Sequence, residues 1–273
     1  MAPDHPKPEP DAPLFDHDFD VNGVGGYAIV DSSRLKRTGL PEAIYAPSKT
    51  KEQVLAIAKR HLELDGPTIV TRCSESLAAE LGEKPYELEV FPPLGSGFSY
   101  FTAVGKPTSR TGGRVALVSA GTSDLAVAHE AEATLFALGI ESELISDVGV
   151  AGIHRLFERL GMIMAADVVI VIAGMEASLA SVVGGLVSAP VVAVPTSTGY
   201  GSSFEGITAT LSMLASCAPG VSIVGIDNGF GAAAVASKIL QMPLRQNEAS
   251  QNEVGQNEVG QNEVRRRTGG DSR

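Results

Sequence analysis

The chain is predicted to be an α/β protein: a C-terminal domain built on a five-stranded parallel sheet in three layers, preceded by a small α+β domain. Three observations predict this. From Arg114 onward, short apolar runs alternate with helical patterns five times, and strand–loop–helix repetition of this kind builds βαβ units and a parallel sheet. The runs RVALVSA (114–120) and DVVIVIA (167–173) are apolar throughout rather than alternating, as strands covered on both faces are. Finally, the 273 residues are 44% hydrophobic with 30 Gly, 5% aromatics and no Trp. That suits closely packed layers joined by many short turns and is long enough to bury a sizeable core.

The elements follow in order. Residues 1–18 are Pro-rich with alternating charges and are expected to be a disordered leader. Residues 19–110 form the small domain. Leu55, Ala58 and Leu62 recur at helical spacing and predict a helix over Thr50–Leu64. Pro67 breaks the chain, Thr68–Thr71 reads as a strand, and Pro92, Pro93, Gly95 and Gly97 mark a loop. Residues 111–241 form the larger domain. Its strands are expected at 114–120, 142–145, 167–173, 191–195 and 222–226, and its helices at 124–138, 152–160, around 178–187 and 204–216, and at 230–240. Residues 242–273 carry a QNEVG-type repeat of period five followed by Arg265–Arg267 and are expected to be a disordered tail.

Composition also excludes functions. With 32 acidic and 21 basic residues the net charge is −11, and aromatics are scarce, which argues against nucleic acid as a partner. Two Cys support neither a disulfide framework nor a four-thiolate zinc site and read as free thiols in a reducing, cytoplasmic compartment. The opening residues are acidic and Pro-rich, unlike a signal peptide. The most apolar stretch, Ser178–Pro195, is cut by Gly184, Gly185 and Pro190 and reads as a buried helix and strand rather than a membrane span. There is no P-loop, no G-x-S-x-G elbow and no metal-site spacing, and Gly23-Val-Gly25-Gly26 lacks the context of a dinucleotide fingerprint.

Ligands of parallel sheets bind outside the carboxyl ends of the strands, which directs attention to five loops. The first offers Ser119, Gly121, Thr122, Ser123 and Asp124 at a helix start. Free N–H groups and the helix dipole there favour an anion, although Ser123 or Asp124 equally serves as an ordinary N-cap. The second runs from Asp147 to His154 and Arg155; it is long and holds two Gly, and its His is either structural or functional. The third brings Met175 and Glu176 to a strand end, where Glu176 is a general base or a helix-start charge. The fourth, with Thr196, Gly199, Tyr200, Gly201 and Ser202, reads as a substrate-enclosing loop, and the fifth carries Asp227, Asn228 and Gly229. The helix between the last two is expected to end at Ser216-Cys217-Ala-Pro219-Gly220, with Cys217 on its last turn. There Cys217 is a buried packing thiol or a nucleophile. A helix C-terminus disfavours a thiolate, so a nucleophilic Cys217 needs a cationic substrate. Cys73 reads as a packing residue.

Taken together, SAGTSD (119–124), DVGVAGIHR (147–155), ADVVIVIAGME (166–176), VPTSTGYGSSFEG (194–206) and SCAPGVSIVGIDNGFGAA (216–233) resemble the LarB family, and so do DSSRLKRTGLPEAIY (31–45) and KTKEQ (49–53). The C-terminal half also resembles PurE, the aminoimidazole ribonucleotide carboxylase, more distantly. The resemblance implies a flavodoxin/PurE-like domain and a reaction: nicotinic acid adenine dinucleotide and CO2 become pyridinium-3,5-biscarboxylic acid mononucleotide and AMP, the first step of nickel-pincer cofactor synthesis. It implies that Cys217 is the nucleophile, with Glu176 the candidate base for the C5 proton and His154 and Arg155 binding carboxylate or shuttling protons. Arg34, Arg37 and Lys49 are then expected at the nucleotide end. Mg2+ held mainly through substrate phosphates is expected, with no dedicated metal ligands and no tightly bound organic cofactor. A homo-oligomer, octamer or dimer, is expected because PurE-like domains assemble. The runner-up readings are a PurE-type carboxylase or mutase, and a non-catalytic nucleotide-binding module.

Overall fold

The computed structural model describes residues 23–64, 66–109 and 112–242; the expected leader (1–18) and the tail from 243 lie outside the described residues. In the N-terminal part, helix α1 (Arg34–Thr38), strand β1 (Ala43–Tyr45), helix α2 (Lys51–Glu63), strand β2 (Thr68–Cys73), helix α3 (Glu75–Gly82), and strands β3 (Glu89–Phe91) and β4 (Phe101–Gly105) follow in order. They form a sheet of order β1-β2-β4-β3, with β1 and β2 parallel and the other pairs antiparallel. The predicted helix over 50–64 is α2. It starts where Thr50 and Gln53 cap each other reciprocally, Gln53 N–H to Thr50 Oγ1 at 3.3 Å and Thr50 N–H to Gln53 Oε1 at 3.0 Å.

The second part alternates as predicted. Strand β5 (Arg114–Ser119), helix α4 (Leu125–Ala137), β6 (Glu141–Ile145), α5 (Ile153–Met164), β7 (Val168–Ala173), α6 (Ser178–Gly184), β8 (Val191–Pro195), α7 (Ile207–Leu214) and β9 (Val221–Ile223) precede a last helix, α8, at 229–242. All five strands are parallel, in the order β6-β5-β7-β8-β9. Side chains alternate between faces. Leu117, Ile170 and Val192 pack under α4 and α8, while Val118, Val171 and Ala193 pack under α5, α6 and α7. Leu117 has no solvent exposure, so Leu117→Ala is expected to lower unfolding free energy by about 2–5 kcal/mol, read from denaturant titration.

Helix α4 is buried nearly all round, including Val127, Glu130, Ala131, Thr134 and Leu135. A helix buried nearly all round must be covered by more than one layer. Here its second face meets the small sheet: Ala133 and Ala137 pack against Ile69 and Val104, and Phe136 lies 5.5 Å from Phe91 ring to ring. The two sheets thus share one helix.

Within the small domain, His61 is 7% exposed with an unpartnered Nε2, and Glu42 lies 3.9 Å away. Burial holds its pKa below the usual value of 6.5, against the pull of Glu42. The unfolded chain takes up a proton that the folded chain resists. Stability present above the unfolded pKa of 6.5 is therefore lost as pH falls toward the lower folded pKa. His61→Leu is expected to flatten the acid side of the stability curve between about pH 7 and pH 5, measured by thermal melts across that range.

Candidate active site

The strand order reverses between β5 and β7, since β6 lies outside β5 while β8 and β9 continue past β7. Such a switch point leaves a crevice at the carboxyl ends, because neighbouring crossovers run to opposite faces. A cavity of about 250 Å³ opens there. Its walls are Ala120, Gly121, Ser123 and Asp124 after β5; Gly149–Ala151 after β6; Ala173–Leu179 after β7; and Thr198 after β8. Among the described residues the lining is largely apolar and carries two carboxylates, Asp124 and Glu176, but no Lys or Arg.

The first loop is held by Asp124, which is buried. Its Oδ2 accepts the Gly121 N–H at 2.9 Å and its Oδ1 accepts the Thr196 hydroxyl at 2.6 Å. Burial pushes its pKa up, and the bonds from Thr196 and Gly121 oppose that. The third and fourth loops touch at Gly174. Met175 N–H donates to the Thr198 carbonyl at 3.0 Å, and a Cβ on Gly174 would lie 2.3 Å from that oxygen. Glycine alone permits this approach. Asp147, Met175, Ala177 and Asp227 all have φ between 52° and 57°. Left-handed backbone at non-glycine residues is costly and collects at functional sites; here all four stand on loops leaving strand carboxyl ends.

The remaining candidates are placed as follows. Glu176 accepts from the Ser178 hydroxyl at 3.3 Å on the cavity wall; Arg155 pairs with Asp147, and neither of these two lines the cavity. His154 is exposed on the first turn of α5. Ser119 is fully buried with an unpartnered Oγ and does not line the cavity. Thr122, Gly199, Tyr200, Gly201 and Ser202 are exposed and do not line the cavity. Asp227 supports the fourth loop, accepting the Ser197 N–H at 2.8 Å, while the Asn228 side chain accepts from the Gly231 N–H at 2.7 Å. Gly229 N–H donates to Glu130 at 3.0 Å. Arg37 is paired with Asp31 at 2.7 Å, Lys49 donates to the Tyr45 carbonyl at 3.0 Å, and Arg34 is exposed on α1. These three cations are not part of the cavity lining. Four of the five loops expected to carry the site line this cavity, the fifth (227–230) does not, and Gly149, Val150, Ala177, Leu179 and Thr198 are not singled out by sequence; small and apolar side chains carry no chemical signature.

Cys217 needs a correction. Helix α7 ends at Leu214, and Cys217 is exposed in the loop beyond it, neither buried nor on the last turn. The Ser216 hydroxyl takes the Ala218 N–H at 3.2 Å, and Pro219 disfavours helical backbone before it. This loop enters β9, so Cys217 stands at the amino ends of the strands. Strand β8 alone, Val191–Pro195, separates it from the cavity end by about 15 Å. Cys73 is buried, and burial pushes its thiol up to about 12.

The family model described as LarB/PurE-like N-terminal domain matches residues 22–92, and that described as AIR carboxylase matches residues 114–260. The chain belongs to the LarB family. Its C-terminal domain is PurE-like, and the pair of domains is that of a carboxylase-type enzyme family. This LarB-family chain is 38% identical over 223 residues to the uncharacterized protein MJ0165 of Methanocaldococcus jannaschii, covering 78% of this chain and 84% of that protein. It is 37% identical over 133 residues to an N5-carboxyaminoimidazole ribonucleotide mutase of the same organism, covering 47% of this chain and 79% of the mutase. Among solved structures, a point variant of Treponema denticola PurE2 aligns at 22% identity with a TM-score of 0.39, covering 56% of this chain and 96% of that one. No helix among the described residues is long and apolar enough to cross a membrane.

Proposed function

We propose that this LarB-family protein is a pyridinium-3,5-biscarboxylic acid mononucleotide synthase, which carboxylates C5 of the pyridinium ring of nicotinic acid adenine dinucleotide and cleaves its phosphoanhydride to release AMP. The observation that carries the reading is a LarB N-terminal domain on a PurE-like sheet whose switch-point cavity is largely apolar, bears the carboxylates Asp124 and Glu176 and, among the described residues, is lined by no cation. A flat cationic ring fits such walls.

The chemistry asks for a thiolate. C5 of a pyridinium cation is electron-poor and does not attack CO2. Addition of the Cys217 thiolate to the neighbouring ring carbon converts the cation to a neutral enamine, whose C5 then bonds to CO2 and becomes tetrahedral. Glu176 takes the C5 proton, the C–S electron pair returns to sulfur, and the aromatic cation is restored with its second carboxylate. Water then cleaves the anhydride, giving the mononucleotide and AMP. Among the described residues no three His, Cys, Asp or Glu side chains converge on a metal position. Mg2+ would instead arrive on the substrate phosphates, where it neutralises their charge.

Cys217 lies at the wrong end of its own sheet for this role, so the reading requires the thiol to come from a second copy. Ile207, Leu211 and Leu214 on α7 are 50%, 60% and 67% exposed, a stripe at helical spacing leading to Cys217. A homo-oligomer would cover it. The similarity to a ribonucleotide mutase favours a second reading, a PurE-type carboxylase or mutase, which needs no thiol.

Incubation with nicotinic acid adenine dinucleotide, bicarbonate and Mg2+, read by mass spectrometry, tests the proposal. A ring-carboxylated mononucleotide with AMP is expected; an unchanged dinucleotide overturns it.

A further inference from the structure

Arg72 sits at the end of β2 with φ 57°, where the pairing with β4 shifts register between Val70 and Cys73. The irregularity sends its side chain out of the small sheet toward the larger domain. Its Nε donates to Glu130 Oε1 on α4 at 3.2 Å, and its Nη2 donates to the backbone carbonyl of Asp227. The guanidinium carbon lies 5.7 Å from the ring centres of both Tyr45 and Tyr100, close enough for cation–π attraction to fix its plane.

Both acceptors belong to one connected assembly. Glu130 is 3% exposed, and its Oε2 accepts the Gly229 and Phe230 N–H groups at 3.0 and 3.4 Å, at the start of α8. A Cβ at Gly229 would lie 2.4 Å from the Val127 carbonyl, so glycine is what allows α8 to begin this close to α4. Asp227, held in the left-handed region, donates its N–H to the Pro195 carbonyl at 2.9 Å and accepts the Ser197 N–H at 2.8 Å. Thr198, next in the chain, is cavity wall.

We propose that Arg72 is a positioning residue: it reaches from the N-terminal domain across α4, fixes the Asp227 turn, and through that turn holds the Ser197–Thr198 wall of the cavity. A buried ion pair is a poor source of stability, because desolvation consumes most of its attraction. What a guanidinium adds is a rigid fork aimed at two acceptors at once. The N-terminal domain is then part of the active-site frame rather than an appended module. The inference rests on the cavity being the active site, but its test needs no substrate.

Hydrogen exchange in the full-length protein decides it. In Arg72→Met, peptides covering 196–203 are expected to exchange about tenfold faster, while peptides from β7 and β8 are unchanged. In Asp227→Ala, adding Arg72→Met should give no further acceleration there, since the route is already cut. Should the Met variant fail to fold, Arg72→Lys serves, because a single ammonium cannot bridge both acceptors in the same geometry. A folded variant with a lower melting temperature and native exchange at 196–203 would reduce Arg72 to a domain clamp and overturn the proposal, as would additive effects in the double variant. If the dinucleotide is turned over, KM is expected to rise with kcat less affected; a change in melting temperature alone counts against positioning.

Discussion

Cys217→Ser is expected to abolish ring carboxylation, by about three orders of magnitude or more, while leaving the melting temperature almost unchanged. The thiol is exposed and outside any helix, so its removal costs no packing. The larger part of this prediction concerns where the thiol acts. A single chain holds Cys217 and the cavity at opposite ends of the parallel sheet, and no loop in this region has the length to carry one to the other. If a second copy supplies the thiol, two inactive proteins can rescue each other. Co-expression of Cys217→Ser with a cavity-disabled Asp124→Ala chain should form sites that pair an intact cavity with an intact thiol. Random pairing would restore about a quarter of the sites. Activity assayed on the mixed oligomer by product mass spectrometry gives the answer. Absence of any rescue, in oligomers verified to be mixed, would exclude a shared site. Full carboxylating activity in Cys217→Ser alone would instead favour the PurE-type reading.

The second large effect is expected at Asp124. Its carboxylate accepts both the Gly121 N–H and the Thr196 hydroxyl, and so joins the first loop to the fourth. In Asp124→Ala both donors lose this partner in a largely buried place, costing about 1–3 kcal/mol of stability. The two loops also lose their shared anchor, and displacement of binding groups by about an ångström is worth roughly 100-fold in kcat/KM. Asp124→Asn is the informative control. Its amide oxygen can accept from Gly121, and its amide nitrogen can donate to a rotated Thr196 hydroxyl. It also removes the charge that burial penalises. The Asn variant is therefore expected to keep its melting temperature and most of its activity. Equal damage from Asn and Ala would show that the negative charge itself, not the anchoring of two loops, is what the site requires.

Much of the fold is legible in the sequence because it is local. RVALVSA and DVVIVIA announce buried strands, and a parallel sheet puts the following loops at one end. The order of loop motifs already resembles LarB; the family models match an AIR carboxylase domain over these loops and a LarB/PurE-like N-terminal domain before them. The small domain is less legible. Strands β1 and β3 are three residues each, and the helices α1 and α3 are five and eight. Elements so short carry little periodicity and are held by neighbours rather than by their own pattern. The end of α7 departs from expectation for a related reason: Pro219 marks a stop, but the side chain of Ser216 decides where the helix gives way.

By itself, then, the sequence determined the parallel sheet, the five loops at its carboxyl ends and the family, since each depends on residues near one another in the chain. Only the tertiary structure decided that Cys217 faces away from the cavity of its own chain, and that Arg72 and Glu130, 58 positions apart, meet at 3.2 Å beneath the Asp227 turn. Such contacts depend on strand order and on how one helix is shared by two sheets, and periodicity along the chain does not encode the distance between elements that are far apart in sequence.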